Sequence, residues 1–324
     1  MEPVKVAVVG VGVMGSQHVE AYSRSLAAKL TAVVDLREER ARLVAERFGL
    51  PAFTDTREML AKAEVQGVSI CTDDERHVEP ALACLAAGKH VLLEKPIATT
   101  LADADTIIQA AERPGTKLLV GHIVRFDPRY AHVKQRLDAG ELGELEAVFA
   151  RRLNHVGLQD VLRGRVSVLS FLGVHDFDYI LWLSGCRPVR VHTESVAKVH
   201  RAAGYDVEDH TFTLIRFTSG AIACVEAGWV LPDSHPRRAD FKLEVIGTKG
   251  VAQYDLLSME LAVCTQRGWE VPRIGQGLDL EIAHFLDCIR NDTPPLVTGA
   301  DGRAALGLSL AAQESARTGR IVEL

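Results

Sequence analysis

A chain of 324 residues exceeds a typical single domain, so two domains are expected. Its 47% hydrophobic and 25% charged residues suit a soluble globular protein with a sizeable core. The formal charge of −6 excludes the basic footprint of a nucleic-acid binder, and no apolar run approaches the ~20 residues of a bilayer span.

Short β-rich runs alternate with helical patterns over the first third. Strands are predicted at Val4–Val9, Leu30–Asp35, Gly67–Cys71, His90–Leu93 and Lys117–Val120. Amphipathic helices are predicted at Met14–Ala27, Glu38–Phe48, Arg57–Ala61, Val78–Ala87 and Leu101–Glu112, with Gly49, Gly88 and Gly115 where helices should stop. Such alternation specifies an α/β fold, a doubly wound parallel sheet with helices on both faces.

The pattern changes after Gly121. A helix from Pro128 to Asp138 leads to a strand at Leu145–Arg152, a polar loop, and a helix over about Ser170–Leu183. Three hairpins follow, TFTLIRF-TSG-AIACVEAGWV, FKLEVIG-TKG-VAQYDL and MELAVCT-QRG-WEV, then helices at Leu278–Arg290 and Gly299–Arg317. The expected organisation is a cofactor domain at 1–121 and an α+β domain at 122–324, built on a large open, mainly antiparallel sheet. Apolar runs such as CVEAGWV in that sheet predict a subunit contact, hence a homo-oligomer.

The opening VKVAVVGVGVMG is the most specific local signal. An apolar strand runs into Gly10, Gly12 and Gly15, spaced G-x-G-x-x-G, where a helix should start. Gly10 permits a tight turn, Gly12 lets the backbone approach a pyrophosphate, and Gly15 allows close helix–strand packing. Twenty residues on, Asp35 ends the run LTAVVD, placed to accept both hydroxyls of an adenosine ribose. Val13 and Met14 between the glycines, and Leu36 and Arg37 after the acid, belong to the same expected site. The motif suits a nicotinamide or flavin dinucleotide; the cofactor expected is NAD, favoured by Asp35, with NADP also open because Arg37 offsets the carboxylate's repulsion of a 2′-phosphate.

In such folds ligands bind at the carboxyl ends of the strands. After Gly67–Cys71 comes TDDERH: Thr72 suits a ribose or phosphate contact, and Asp73 and Asp74 read equally well as helix caps. His77 either flanks the nicotinamide or has a structural place. After His90–Leu93 comes Glu94-Lys95-Pro96, where the proline makes a rigid turn and Lys95 projects toward the crevice to stabilise alkoxide charge. In the second domain His175 opens an apolar-periodic helix with Asp178 three residues on; an imidazole is the natural acceptor for a hydroxyl proton. Cys71, Cys84, Cys186, Cys224, Cys264 and Cys288 are scattered and read as free thiols of a reducing cytoplasm. The start, MEPVKVAVVG, lacks the marks of a signal peptide. No metal-ligand spacing appears, and Gly247-Thr248-Lys249-Gly250 reads as a hairpin turn rather than a phosphate loop.

Taken in order, GVGVMG, Asp35, CTDDERHVEPALACLAAGKHVLLEKPIATT, GHIVRFDPRY, LGVHDFDYILWL and VIGTKG closely resemble the Gfo/Idh/MocA family of oxidoreductases over the full length. The resemblance implies a Rossmann domain followed by an α+β domain, assembly as dimers or tetramers through the second sheet, and NAD(P)-linked chemistry on a secondary hydroxyl of a sugar, cyclitol or nucleotide-sugar. It implies that Lys95 is the active-site lysine, contacting both cofactor and substrate, and that His175 is the catalytic histidine. Arg125 and Glu94 fall in cofactor-site segments; His122, Asn154, His155, Gln159 and Phe171 fall in substrate-site segments.

Two departures matter. Phe171 stands where inositol-dehydrogenase-like members carry an aspartate, and Asp73 where the family typically has proline. A benzyl group accepts no proton, so another acid such as Asp178, a different substrate, or heavier reliance on Lys95 is implied. Reduction of a non-sugar carbonyl or imine, and a non-catalytic dinucleotide-binding regulator, are the alternative readings.

Overall fold

The computed structural model describes residues 2–158, 162–256, 260–265, 268–270 and 277–324. Gln159, and residues 266 and 267 of the QRG turn, lie outside them.

The first compact unit begins with β1 (Val4–Val9), α1 (Val13–Arg24), β2 (Ala28–Val34), α2 (Glu38–Phe48), β3 (Ala52–Phe53) and α3 (Thr56–Lys62). It continues with β4 (Gly67–Ile70), α4 (Val78–Ala86), β5 (His90–Glu94), α5 (Leu101–Ala111) and β6 (Leu118–Gly121). The strands pair in parallel in the order β3-β2-β1-β4-β5-β6. Strand order therefore reverses between β1 and β4, and the Rossmann crevice lies at the carboxyl ends there. Buried valines, leucines and isoleucines fill β1, β4 and β5 because both sheet faces are covered.

Local chemistry sets the helix ends. Asp55 accepts the Glu58 N–H at the start of α3, and Thr100 does the same for Asp103 at the start of α5. Helix α2 has Glu38 and Glu39 in its first turn and stops at Gly49, whose φ of +67° suits glycine. The two-residue strand β3 carries almost no pattern, which is why sequence reading passes over it.

The second unit contains α6 (Pro128–Asp138), β7 (Leu145–His155), a π turn (Leu169–Gly173) leading into α7 (Val174–Ser184), and β8 (Pro188–Val196). Then come β9 (His210–Phe217), β10 (Ile222–Leu231), β11 (Ala239–Gly247), β12 (Gly250–Asp255), β13 (Glu260–Thr265) and β14 (Gly268–Glu270). The chain closes with α8 (Gly277–Asn291), α9 (Gly299–Thr318) and β15 (Val322–Glu323). Among the described residues the second sheet has nine strands, ordered β14-β13-β12-β11-β7-β10-β9-β8-β15. Every pairing is antiparallel except the central β7–β10 pair, which runs parallel because α7 and two further strands intervene in the chain. Gly247 pairs with Gly250 across a two-residue turn, as its composition predicts.

Helices α6 and α7 cover one face. Tyr179 donates to the Tyr130 carbonyl at 3.0 Å, and the Tyr130 ring meets Tyr179 edge-on at 4.8 Å. On β9, Thr211, Thr213, Ile215 and Phe217 are buried, whereas Phe212 and Leu214 are exposed at 46% and 56%. Ile222 on β10 is 49% exposed, so an apolar strip crosses the outer face.

The division of the chain differs from the contiguous one at 1–121 and 122–324. The first unit is Met1–Phe126 with Gln276–Leu306, and the second is Asp127–Gly275 with Gly307–Leu324. Helix α8 returns to the first unit because its apolar face packs there: a Cβ at Gly67 would lie 2.9 Å from Ile289 Cδ1 and 3.2 Å from the Phe285 ring. Gly302, near the start of α9, lies equally close to Val120.

Candidate active site

The glycine turn after β1 is sterically obligatory. Gly10 has φ +80°, and a Cβ there would sit 2.7 Å from the Thr72 nitrogen. A Cβ at Gly15 would lie 1.8 Å from the Gly10 carbonyl oxygen, so helix α1 can approach β1 only without a side chain. Gly12 takes the N-cap position of α1 and provides no side-chain cap, which leaves the first-turn N–H groups directed outward.

Asp35 follows β2 and is nearly buried. Its Oδ1 accepts the Arg37 N–H at 2.9 Å, its Oδ2 accepts the Val11 N–H at 3.1 Å, and Arg40 Nη1 stands 3.5 Å from Oδ2. The carboxylate is thus fixed against the glycine turn. Arg40, absent from the sequence reading, comes beside Asp35 because it lies in the first turn of α2. Val13 and Leu36 are exposed at 76% and 68%, large apolar side chains left facing outward beside the turn; Met14 is half-buried. These residues fit a dinucleotide: the glycines leave room for a pyrophosphate, uncapped N–H groups face it, and the fixed acid suits a ribose.

The next strand ends add further groups. Thr72 donates its hydroxyl to the Arg76 carbonyl, and Asp73 begins a one-turn 3-10 helix at Asp74–Arg76 with no side-chain cap bond. His77 is buried, its Nδ1 2.8 Å from the Pro96 carbonyl and its Nε2 3.2 Å from the Thr72 carbonyl. Burial lowers its pKa, while the two carbonyls oppose that. This geometry supports the structural place for His77: the ring ties the turn after β4 to the turn after β5.

That second turn holds a cis Lys95–Pro96 bond, with Lys95 half-buried. Glu94 points inward instead, its Oε1 3.1 Å from His18 Nε2 and its Oε2 accepting the Lys95 N–H at 3.2 Å. His122 is fully buried just after β6. Arg125 is also buried and meets Asp301 of α9 at 3.3 Å. Burial alone raises the Asp301 carboxyl, but Thr298 and Arg125 outweigh it and hold the pKa down. Glu94, His122 and Arg125 therefore have interior surroundings that their positions after strands did not reveal.

The second unit presents its own group. His175 is half-buried in the first turn of α7, directly after the π turn that contains Phe171. Single π turns recur at functional positions because they re-aim the residues that follow. The half-buried Phe171 ring lies 5.8 Å from Trp229, whose Nε1 donates to the Glu208 carbonyl at 2.6 Å. Next to His175, Asp176 forms a buried two-pronged ion pair with Arg152, at 2.7 and 2.9 Å. The Arg152 guanidinium also stacks over Phe241 at 4.6 Å. Asp178 is completely buried. Asn154 and His155 end β7, with His155 Nδ1 3.1 Å from both Asp233 and Arg238. Sequence reading missed Arg152; its signal is an arginine in inward register on an alternating strand.

Comparison with known proteins fits this geometry. Residues 4–122 match the oxidoreductase family with an NAD-binding Rossmann fold, and residues 130–253 match the GFO/IDH/MocA C-terminal domain. A scyllo-inositol 2-dehydrogenase (NAD(+)) of Bacillus subtilis is 30% identical across 99% of this chain and 96% of its own. The chain belongs to the Gfo/Idh/MocA family. Among solved structures, GenD2 from gentamicin A biosynthesis, in complex with NAD, superposes with a TM-score of 0.87 at 28% identity, covering 100% of this chain and 97% of that one. The UDP-N-acetylglucosamine 3-dehydrogenase GnnA from Acidithiobacillus ferrooxidans gives 0.85 at 29% identity, covering 97% and 98%. As a Gfo/Idh/MocA protein the chain is an NAD-binding oxidoreductase.

Proposed function

We propose that the protein interconverts a secondary hydroxyl and a ketone on a cyclitol, sugar or nucleotide-sugar. The observation that carries this reading is the lysine at the end of β5, on the same crevice edge as the glycine turn and Asp35. Gly10, Gly12, Gly15 and Asp35 would hold the dinucleotide, with Val13, Met14, Leu36, Arg37, Thr72 and Asp73 around it. The bound nicotinamide supplies the hydride acceptor. His175 accepts the hydroxyl proton as general base. Lys95 donates a hydrogen bond to the same oxygen and stabilises its developing negative charge. Phe171, its ring tilted beside that of Trp229, offers an apolar surface to the C–H side of a polyol ring. Asn154 and His155 complete the substrate surface.

The test is incubation with NAD and a panel of inositols, sugars and UDP-sugars. Turnover raises absorbance near ~340 nm, the signature of reduced nicotinamide. Lys95→Ala and His175→Ala should each cut turnover by roughly 10²–10⁴-fold. Full activity in either variant would remove that residue from the mechanism.

We also read the protein as a cytoplasmic homo-oligomer. Cys71, Cys84, Cys186, Cys224 and Cys288 are free thiols, which suits a reducing compartment. No described helix is long and apolar enough to cross a membrane. The strip of Phe212, Leu214 and Ile222 suits burial against a second copy.

A further inference from the structure

One buried group of the first unit has no part in that chemistry. His18 on α1, Glu94 at the end of β5 and Glu281 on α8 place ligand atoms all within 4.8 Å of one another, and all three side chains are buried. Ser69 Oγ lies 3.3 Å from His18 Nδ1 and 2.7 Å from the Tyr22 hydroxyl. His18 Nε2 faces Glu94 Oε1, and Glu94 Oε2 accepts the Lys95 N–H. Both oxygens of Glu281 are buried and make no hydrogen bond among the described residues.

Proton counting constrains this arrangement. An ionised Glu94 only accepts, so His18 donates from Nε2. Its Nδ1 then accepts from Ser69, and Ser69 accepts from Tyr22, which satisfies each group with one proton per bond. Among the described residues Glu281 accepts no hydrogen bond. Two ionised carboxylates side by side in a fully buried site are unfavourable, since desolvation and like charge both disfavour the second charge.

We infer that Glu281 and Glu94 titrate as a pair that retains one proton, held on Glu281, leaving Glu94 as the single fixed negative charge behind Lys95. The groups facing Glu281 are Glu94 on β5, His18 and Tyr22 on α1, and Cys71 after β4. Burial first, and Glu94 second, push the Glu281 carboxyl well above its ordinary range. Burial acts the same way on Glu94, but the His18 hydrogen bond first, and then the positive charge of Lys95, outweigh it and bring the carboxyl down.

A folded-state value above the unfolded one makes the folded protein hold the extra proton. Stability from this group is complete below the ordinary carboxylate range and is lost as pH rises toward the raised value.

Infrared spectroscopy of the intact protein at neutral pH should show the carbonyl stretch of a buried protonated carboxylic acid. Glu281→Gln should abolish it and flatten the loss of melting temperature with rising pH. A band that survives Glu281→Gln but disappears in Glu94→Gln would put the proton on the wrong residue and overturn the inference. So would one equivalent of tightly bound divalent metal in the purified protein, because both carboxylates would then be ionised ligands. For the charge behind Lys95, the readout is the pH profile of Lys95 acylation, followed by mass spectrometry. Glu94→Gln should move that profile down by ~0.5 pH unit or more, since an ammonium loses a nearby negative charge; an unmoved profile refutes that half. None of these measurements needs a substrate, so their failure is distinct from failure of the proposed reaction.

Discussion

Asp35 has two tasks, and its substitution should expose both. It holds the glycine turn through the Val11 and Arg37 N–H groups, and in the proposed function it takes the ribose of the cofactor. Asp35→Ala is expected to weaken NADH binding by roughly 10–100-fold, the range for hydrogen bonds to a charged group. NADPH should lose less, because a 2′-phosphate gains from removal of the carboxylate and from Arg40 3.5 Å away. Fluorescence titration of the two reduced cofactors measures the difference; equal losses would mean that Asp35 acts only through the turn. Gly15→Ala places a methyl 1.8 Å from the Gly10 oxygen and should lower the melting temperature and remove NADH binding together. Asp35 and the three glycines were legible in sequence because chain spacing sets their geometry. The inward aim of Glu94 and the burial of His122 and Arg125 were not, since both depend on partners far along the chain, Asp301 among them.

At the scale of elements, the join between β7 and α7 rests on Arg152 and Asp176. The pair is buried on both sides, so losing one partner strands a charge. Asp176→Asn should cost about 3–5 kcal/mol, read as a fall in melting temperature, whereas Arg152→Met with Asp176→Leu should recover most of it. Equal destabilisation by the single and double variants would show that packing, and not the stranded charge, sets the cost. Helix and strand periods exposed most elements: β1, α2 and α6 begin and end where the pattern changes. The π turn escaped because LSFLG has the composition of any apolar helix; only the backbone hydrogen bonds reveal the wider turn. Strand β8 escaped because it starts at Pro188 and its outward residues His192, Glu194 and Ser195 interrupt the apolar run.

Across the whole molecule, the outer strip on the second sheet bears on assembly. Leu214 pairs with Cys224 on β10, which pairs in turn with Phe149 on β7, and a charged side chain in that row would oppose burial. If the proposed oligomer forms through this strip, Leu214→Glu is expected to give a monomer in light scattering, with the circular dichroism of the fold retained. A wild-type protein that already runs as a monomer would remove the interface. The presence of two domains followed from length and from the change of pattern after Gly121, but their membership did not. Amphipathicity shows that a helix such as α8 needs a partner without saying which one.

That membership bears on how the protein is made. The first unit needs α8 and the opening turns of α9, which leave the ribosome only after Asp127–Gly275 has been synthesised. Until then β4 lacks the cover of Phe285 and Ile289 beside Gly67, and Glu94 has no Glu281 nearby. Nascent chains ending near residue 126 should therefore remain protease-sensitive and fail to retain dinucleotide, although they carry every glycine of the fingerprint. Cofactor capture is then expected only once residues beyond Gly275 have been made.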